Sequence, residues 1–204
     1  MSAASATVDD MSEIVIEPAT SERFGDAEHA LTGGGDGPGC QCQWWTLTNA
    51  EFQSSSNEER ERLLEADLAA SPAPALIAYV DGEAAGWVRV GPRTIQRRIA
   101  RTRMIAASTA EPLDDASVWA VSCFVVRKEH RGQGLNARLL DAAVVHAREN
   151  GARVIEGYPV DPTVGAHASN DLYHGVVSVF EAAGFVEVAR PKPDRAIVSL
   201  TLAR

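Results

Sequence analysis

The chain has 204 residues, 45% of them hydrophobic and 23% charged, and a formal net charge of -9. This is an ordinary globular balance, and no apolar run approaches a membrane span, so no membrane partner is expected. The acidic charge argues against a nucleic-acid face and suits attraction of a cationic, amine-bearing substrate, although solubility alone also accounts for it.

Residues 1–12 lack a basic region followed by an apolar core, so they read as a disordered lead-in and not a secretory signal. A single domain over 13–204 and a cytoplasmic location are the corresponding expectations. The three cysteines, Cys40, Cys42 and Cys123, fit reduced thiols. Cys40-Gln41-Cys42 offers too few ligands for a structural zinc, and no metal is expected.

Glu13 to Glu17 alternates as a first strand, and Thr20 or Ser21 starts a short helix toward Leu31. Glycines from Gly33 to Gly39 mark a flexible loop. The segment from Gln43 to Leu47, with Trp44 and Trp45, fits either strand or helix. A polar helix follows from about Asn57 to Ala69, ended by Ser71-Pro72. Ala75 to Val80 and Glu83 to Val90 flank Asp81-Gly82, which predicts a type I′ hairpin. Arg93 to Met104 reads as a short exposed helix with a solvated arginine face. Glu111 to Asp115 is loop.

Val118 to Val126 is apolar almost throughout, as in a central strand covered on both faces. A helix then runs from about Leu135 to Asn150-Gly151, with Leu135, Leu139, Leu140, Ala143, Val144 and Ala147 on one side. Arg153 to Gly157 is the next strand, and the crossover makes this pair parallel. A loop covers Pro159 to Ser169. Gly175 to Ala183 is helical, and Phe185 to Ala189 with Ala196 to Leu202 forms a closing antiparallel pair. The fold class is α/β (α+β): a mixed, mostly antiparallel sheet with one parallel pair and helices on both faces.

Between the apolar strand and its helix lies Arg131-Gly132-Gln133-Gly134. A strand, a glycine loop and a helix N-terminus together make a backbone anion site, usually for phosphate. Gly132-x-Gly134-x-x-Ala137 also matches a dinucleotide fingerprint, with Glu156 at the next strand as the ribose acid. An NAD(P)-dependent oxidoreductase is therefore a rival reading. Against it, residues 127–131 separate strand from glycine, the upstream strands form an antiparallel hairpin, and too few residues remain for further parallel strands. A P-loop is excluded by the missing Lys-Ser or Lys-Thr.

The stretch from Val126 to Leu140 resembles the acyl-CoA signature of the GNAT superfamily of N-acetyltransferases. Arg131 and Gly134 match that signature, and Asn136 replaces its final small residue. Phe180-Glu181-Ala182-Ala183-Gly184-Phe185 is similar to the family's aromatic-x-x-x-Gly-Phe signature. These motifs, the Cys40-Gln41-Cys42 and Trp44-Trp45 segment, and the loop from Gly157 to Pro162 resemble a bacterial branch of the superfamily.

The resemblance implies a splayed parallel pair and an acyl-CoA N-acyltransferase domain over 13–204. It implies acetyl-CoA as co-substrate and direct transfer of the acetyl group to a primary amine of a small molecule or protein. Phe124, Val125 and Val126 would pair with the pantetheine and thioester. Arg131, Gly132, Gln133, Gly134, Leu135 and Asn136 would hold the pyrophosphate. A backbone N–H near Phe124 would stabilise the oxyanion. Phe180 stands where the family often has a tyrosine acid, so Tyr173 is the substitute acid. Glu156 and Asp161 are candidates for the base, with His174 or a water chain as alternatives. Trp44 and Trp45 would wall the acceptor pocket. A homodimer is common in the family, but no residue here fixes it. The Phe180 departure leaves a second reading open, a catalytically weak acyl-CoA-binding regulatory module.

Overall fold

The computed structural model describes residues 12–33 and 35–202. The expected lead-in at 1–12 thus lies, but for its last residue, outside the described residues. A seven-stranded sheet has the order β1-β2-β3-β4-β5-β7-β6. Its strands are β1 (Ile14–Pro18), β2 (Ala75–Val80), β3 (Glu83–Pro92), β4 (Val118–Val126), β5 (Val154–Gly157), β6 (Val186–Lys192) and β7 (Arg195–Thr201). Only β4 and β5 run parallel; the other neighbours are antiparallel. The helices are α1 (Phe24–Leu31), α2 (Gly37–Cys40), α3 (Asn49–Ser54), α4 (Asn57–Asp67), α5 (Arg97–Arg101), α6 (Arg103–Ala106), α7 (Leu135–Glu149) and α8 (Val177–Ala182).

The hairpin between β2 and β3 follows from its turn. Asp81 and Gly82 have φ of 50° and 84°, both left-handed, as a type I′ turn requires. The polar helix expected from about Asn57 is α4, and the shorter α3 precedes it. Thr48 with Glu51 caps α3, and Ser56 with Glu59 caps α4, each as a reciprocal capping box. In α7 the six apolar residues expected on one side are the six buried ones. Each leucine among them contributes roughly 1.5–3 kcal/mol by leaving water.

Two apolar layers cover the sheet. One packs α7 and α8 on Leu76, Val88, Trp119 and Phe124. The other packs α1 and the tryptophan segment on Ile77, Trp87, Ala120 and Cys123. Alternate residues of β4 therefore feed opposite layers, which is why that strand is apolar almost throughout.

Candidate active site

The parallel pair is short. β4 is matched to β5 only from Val118 to Val121, opposite Val154 to Gly157. Residues 122–126 continue beside β3 with no strand on their other side. The register against β3 also slips between Arg89 and Val90, which makes Ser122 an extra residue in β4. Such a bulge bends the strand and increases its twist. Phe180 occupies the gap below. It is fully buried, and its ring meets Phe124 and Phe185 edge-on at centroid distances of 6.0 and 5.0 Å. A Cβ at Gly157 would overlap that ring, so glycine is required where the strands part.

Above this gap lies a cavity of about 940 Å³. At one end, Gly132 and Gly134 have φ of 80° and 73°. These are left-handed conformations that cost an L side chain about 1–2 kcal/mol. They lead directly into α7. Among the described residues, the N–H groups of residues 132–136 find no backbone acceptor. Consecutive free N–H groups at a helix N-terminus attract an anion through hydrogen bonds and the helix dipole. Asn136 lines the cavity, and its Oδ1 is buried without a partner. The extra bulk is thus turned inward as a polar group, available to a ligand.

The structure brings most of the expected residues together. Phe124, Val125, Val126, Arg131, Gly132, Gly134, Leu135 and Asn136 line the cavity, as do Trp44, Trp45 and Tyr173. Gln133 adds only its backbone N–H. The glycine-rich segment and the segment that follows the loop from Pro159 meet, with Asn170 Nδ2 donating to Asp36 Oδ1 at 3.2 Å. The Arg98 guanidinium lies 3.7 Å from the Trp44 ring centroid and fixes that indole. Tyr173 stacks on His174 at 4.0 Å, and His174 meets Trp45 edge-on at 5.5 Å. Burial first, then the Cys123 and Cys40 thiols, pushes Tyr173 upward, so its hydroxyl keeps its proton. Burial, then the Arg195 charge, brings His174 down to about 3, so its ring is neutral near pH 7.

Both carboxylates considered as bases lie elsewhere. Glu156 does not line the cavity and is 1% exposed. Its oxygens accept from Arg93 Nη1 at 2.7 Å, Thr109 Oγ1 at 2.7 Å and the Tyr158 hydroxyl at 3.0 Å. Such a carboxylate is occupied on every side. Asp161 also lies off the cavity and caps its own loop through Thr163, with Arg190 Nη1 at 2.9 Å. Those bonds hold it below the usual carboxylate range.

The expected solvated arginine face holds for Arg97, Arg101 and Arg103, which are exposed, and is corrected at Arg93 and Arg98. Arg93 is 1% and Arg98 9% exposed, and the segment folds as a 3-10 turn followed by α5 and α6. The reason is long-range: the acid that neutralises Arg93 arrives from β5. Phe180, at the expected tyrosine position, is core. Its ring packs closely against Gly157 and Gly175, so a hydroxyl there would have to enter a filled core.

Two cavity features were not singled out from the sequence. Asp36 is the one carboxylate in the lining. It sat unnoticed in a glycine-rich run, where an isolated acid reads as loop. Cys42 and Cys123 both line the cavity and belong to one buried cluster. Their spacing of 81 positions gives no sequence signal.

A mixed sheet with a splayed parallel pair, and a free-N–H loop heading the helix after it, define an acyl-CoA-type transferase fold. Residues 42–174 match the model of the acetyltransferase (GNAT) family. The chain belongs to that family and is an acyltransferase. No curated protein matches it. Among solved structures it is similar to the acetyltransferase of GNAT family from Streptococcus pneumoniae. The TM-score there is 0.53 at 15% identity, covering 94% of this chain and 100% of that one. N-acetyltransferase from Staphylococcus aureus Mu50 gives 0.53 at 17% identity, with coverage of 94% and 100%. The structure of yncA from Salmonella typhimurium with its cofactor acetyl-CoA gives 0.52 at 16%, with coverage of 93% and 94%. At these identities the likeness is one of fold. No helix among the described residues is long and apolar enough to cross a membrane.

Proposed function

We propose that the protein moves an acetyl group from acetyl-CoA to a primary amine of a small molecule or a protein, by direct attack of the amine on the thioester. The reading treats residues 13–204 as one acyl-CoA N-acyltransferase domain. The observation that carries it is the set of unpartnered N–H groups at 132–136, at one end of a cavity whose wall is the unpaired part of β4. The pyrophosphate takes the loop, with Asn136 adding a side-chain contact. Pantetheine runs along 124–126, and a backbone N–H near Phe124 meets the thioester oxygen as charge develops there.

Trp44 and Trp45 enclose the amine. Asp36 holds it as an ammonium and takes its proton, directly or through water. Tyr173, which keeps its proton, supplies the departing thiolate. Calorimetry with acetyl-CoA and with NAD, followed by chromatography of free CoA over an amine panel, tests this. Micromolar binding of acetyl-CoA and amine-dependent CoA release are expected. Binding without release from any amine would favour an acyl-CoA-binding regulatory module instead, and binding of NAD alone would end both readings. Tyr173→Phe is expected to lower kcat while leaving the acetyl-CoA Kd within about twofold, since the phenol acts on the leaving group and not in the phosphate loop.

A further inference from the structure

Cys42 is built into the cavity wall by backbone and side chains together. Gln41 and Cys42 have φ of 47° and 52°. Two successive non-glycine residues in the left-handed region are uncommon and persist only where the surroundings impose them. Here the Cys42 sulfur accepts from Trp87 Nε1 at 3.1 Å and from Arg89 Nε at 3.2 Å. Both donors stand on β3 and are buried, at 0% and 1% exposure. Arg89 is held in turn by Asp67, 2.7 Å from Nη2, and the same Asp67 oxygen accepts from Gln43 Nε2 at 3.0 Å.

Cys123 completes the arrangement. It is the β4 residue directly opposite Arg89 in the register. It lines the same cavity as Cys42 and belongs to the same buried cluster. A neutral thiol is a weak acceptor, whereas a sulfur given an indole N–H and a guanidinium N–H together is disposed to be a thiolate. Burial pushes Cys42 up, but the bonds from Cys123, Arg89 and Trp87 outweigh it and bring it down to about 6. Cys123 moves the opposite way, because its proton serves Cys42. Cys40 is raised to about 11, by burial first and then by Cys42. Cys42, favoured as a thiolate, and Cys123, favoured as a thiol, therefore share one cavity wall on either side of Arg89.

We propose that Cys42 and Cys123 are a hydroperoxide-reactive pair, in which Cys42 is oxidised first and Cys123 closes a disulfide across the cavity wall. The Cys42 sulfur attacks one peroxide oxygen and the O–O bond breaks. The departing alkoxide or hydroxide takes up the proton that Cys42 had released. Cys42 is then a sulfenic acid, oxidised by two electrons. Cys123 attacks that sulfur, the S–O bond breaks, and the proton of Cys123 leaves with the hydroxide as water. In sum, two thiols and one hydroperoxide give one disulfide, one alcohol or water, and one water. The bridge would tie the Gln41-Cys42 turn to β4 beside Phe124. Its effect on acetyl-CoA rests on the proposed function; the bridge itself does not.

The test uses the full chain with hydrogen peroxide, read by intact mass and peptide mapping. The expected result is a loss of two mass units and a Cys42–Cys123 crosslinked peptide. Near pH 7 the thiolate fractions of Cys42 and Cys40 differ by about ten-thousandfold and the weaker nucleophilicity of the low-pKa thiolate takes back about a hundredfold, so alkylation of the reduced protein should be on the order of a hundredfold faster at Cys42. Cys123→Ser should stop the oxidation at a Cys42 sulfenate that dimedone traps, with Trp87→Phe as a milder variant that slows the first step. A Cys40–Cys42 bridge, oxidation starting at Cys40, or an unchanged mass under excess peroxide would each overturn the proposal. Calorimetry of the bridged and reduced forms separates the two readings. A bridge that forms in a protein that binds no acetyl-CoA in either state spares this inference and sinks the donor assignment; acetyl-CoA binding with no bridge does the reverse.

Discussion

Replacing Glu156 by Gln leaves the Arg93 guanidinium buried without its counter-charge. The two side chains are 1% and 0% exposed and meet at 2.7 Å. Arg93 Nη1 keeps Thr109 Oγ1 at 2.9 Å and Nη2 keeps the Glu111 carbonyl at 3.0 Å, so both terminal nitrogens stay bonded while the charge loses its partner. Breaking such a buried pair from one side costs about 3–5 kcal/mol. For a domain stable by 5–15 kcal/mol this is a large fraction of the whole. With a urea m-value of about 2 kcal/mol per molar, the midpoint should fall by about 1.5–2.5 M. The double variant Arg93→Met, Glu156→Leu should recover a good part of that loss, because neither charge is then stranded. Urea unfolding followed by tryptophan fluorescence measures this, and acetylation assays at low temperature on the folded fraction measure catalysis. Glu156→Gln should keep kcat within a few-fold. An unchanged urea midpoint, with kcat lowered a hundredfold and restored as pH rises, would refute the argument and reinstate Glu156 as the base.

Gly134→Ala should cost only about 1 kcal/mol of stability, since φ is 73° but the added Cβ meets open space. It should weaken acetyl-CoA binding tenfold or more by keeping the pyrophosphate from the loop, and calorimetry beside thermal melting separates the two effects. Phe180→Tyr restores the residue common at this position in the family, yet it should destabilise by about 1–3 kcal/mol and leave kcat no higher. The ring is fully buried against Phe124, Phe185 and Gly157, so the added oxygen must be forced into a filled core. His174 has a folded-state value of about 3, against about 6.5 when unfolded. The unfolded chain therefore binds the extra proton between these limits, and stability present above about 6.5 is lost as pH falls toward 3. At pH 5 the loss is about 2 kcal/mol. Denaturant midpoints at pH 5 and 7 should show it, and His174→Phe, which keeps the stack on Tyr173, should flatten the difference.

The Asp81-Gly82 hairpin, the apolar β4 and the six buried positions of α7 are local properties. Turn conformation and side-chain periodicity are written over a few neighbouring residues, so the sequence alone determines them. The same holds for the loop at 132–136, because two left-handed glycines before a helix leave the N–H groups free wherever the segment is placed. The resemblance in that stretch was therefore enough to indicate the family.

Groups that meet across distant parts of the chain are different. Arg93 looked like a surface charge until β5 delivered Glu156, 63 positions away. Cys42 looked like a packed thiol until β3 delivered Trp87 and Arg89, 45 and 47 positions away. Whether an aromatic at 173 or 180 faces the cavity depended on where the chain turns at Gly175, whose open conformation passes close to both Phe124 and Phe180. A charge, a thiol or a phenol is set to its task by its partners. The sequence determined which groups this protein has and how each segment folds. Tertiary structure alone decided which groups meet, and so which of them face the cavity.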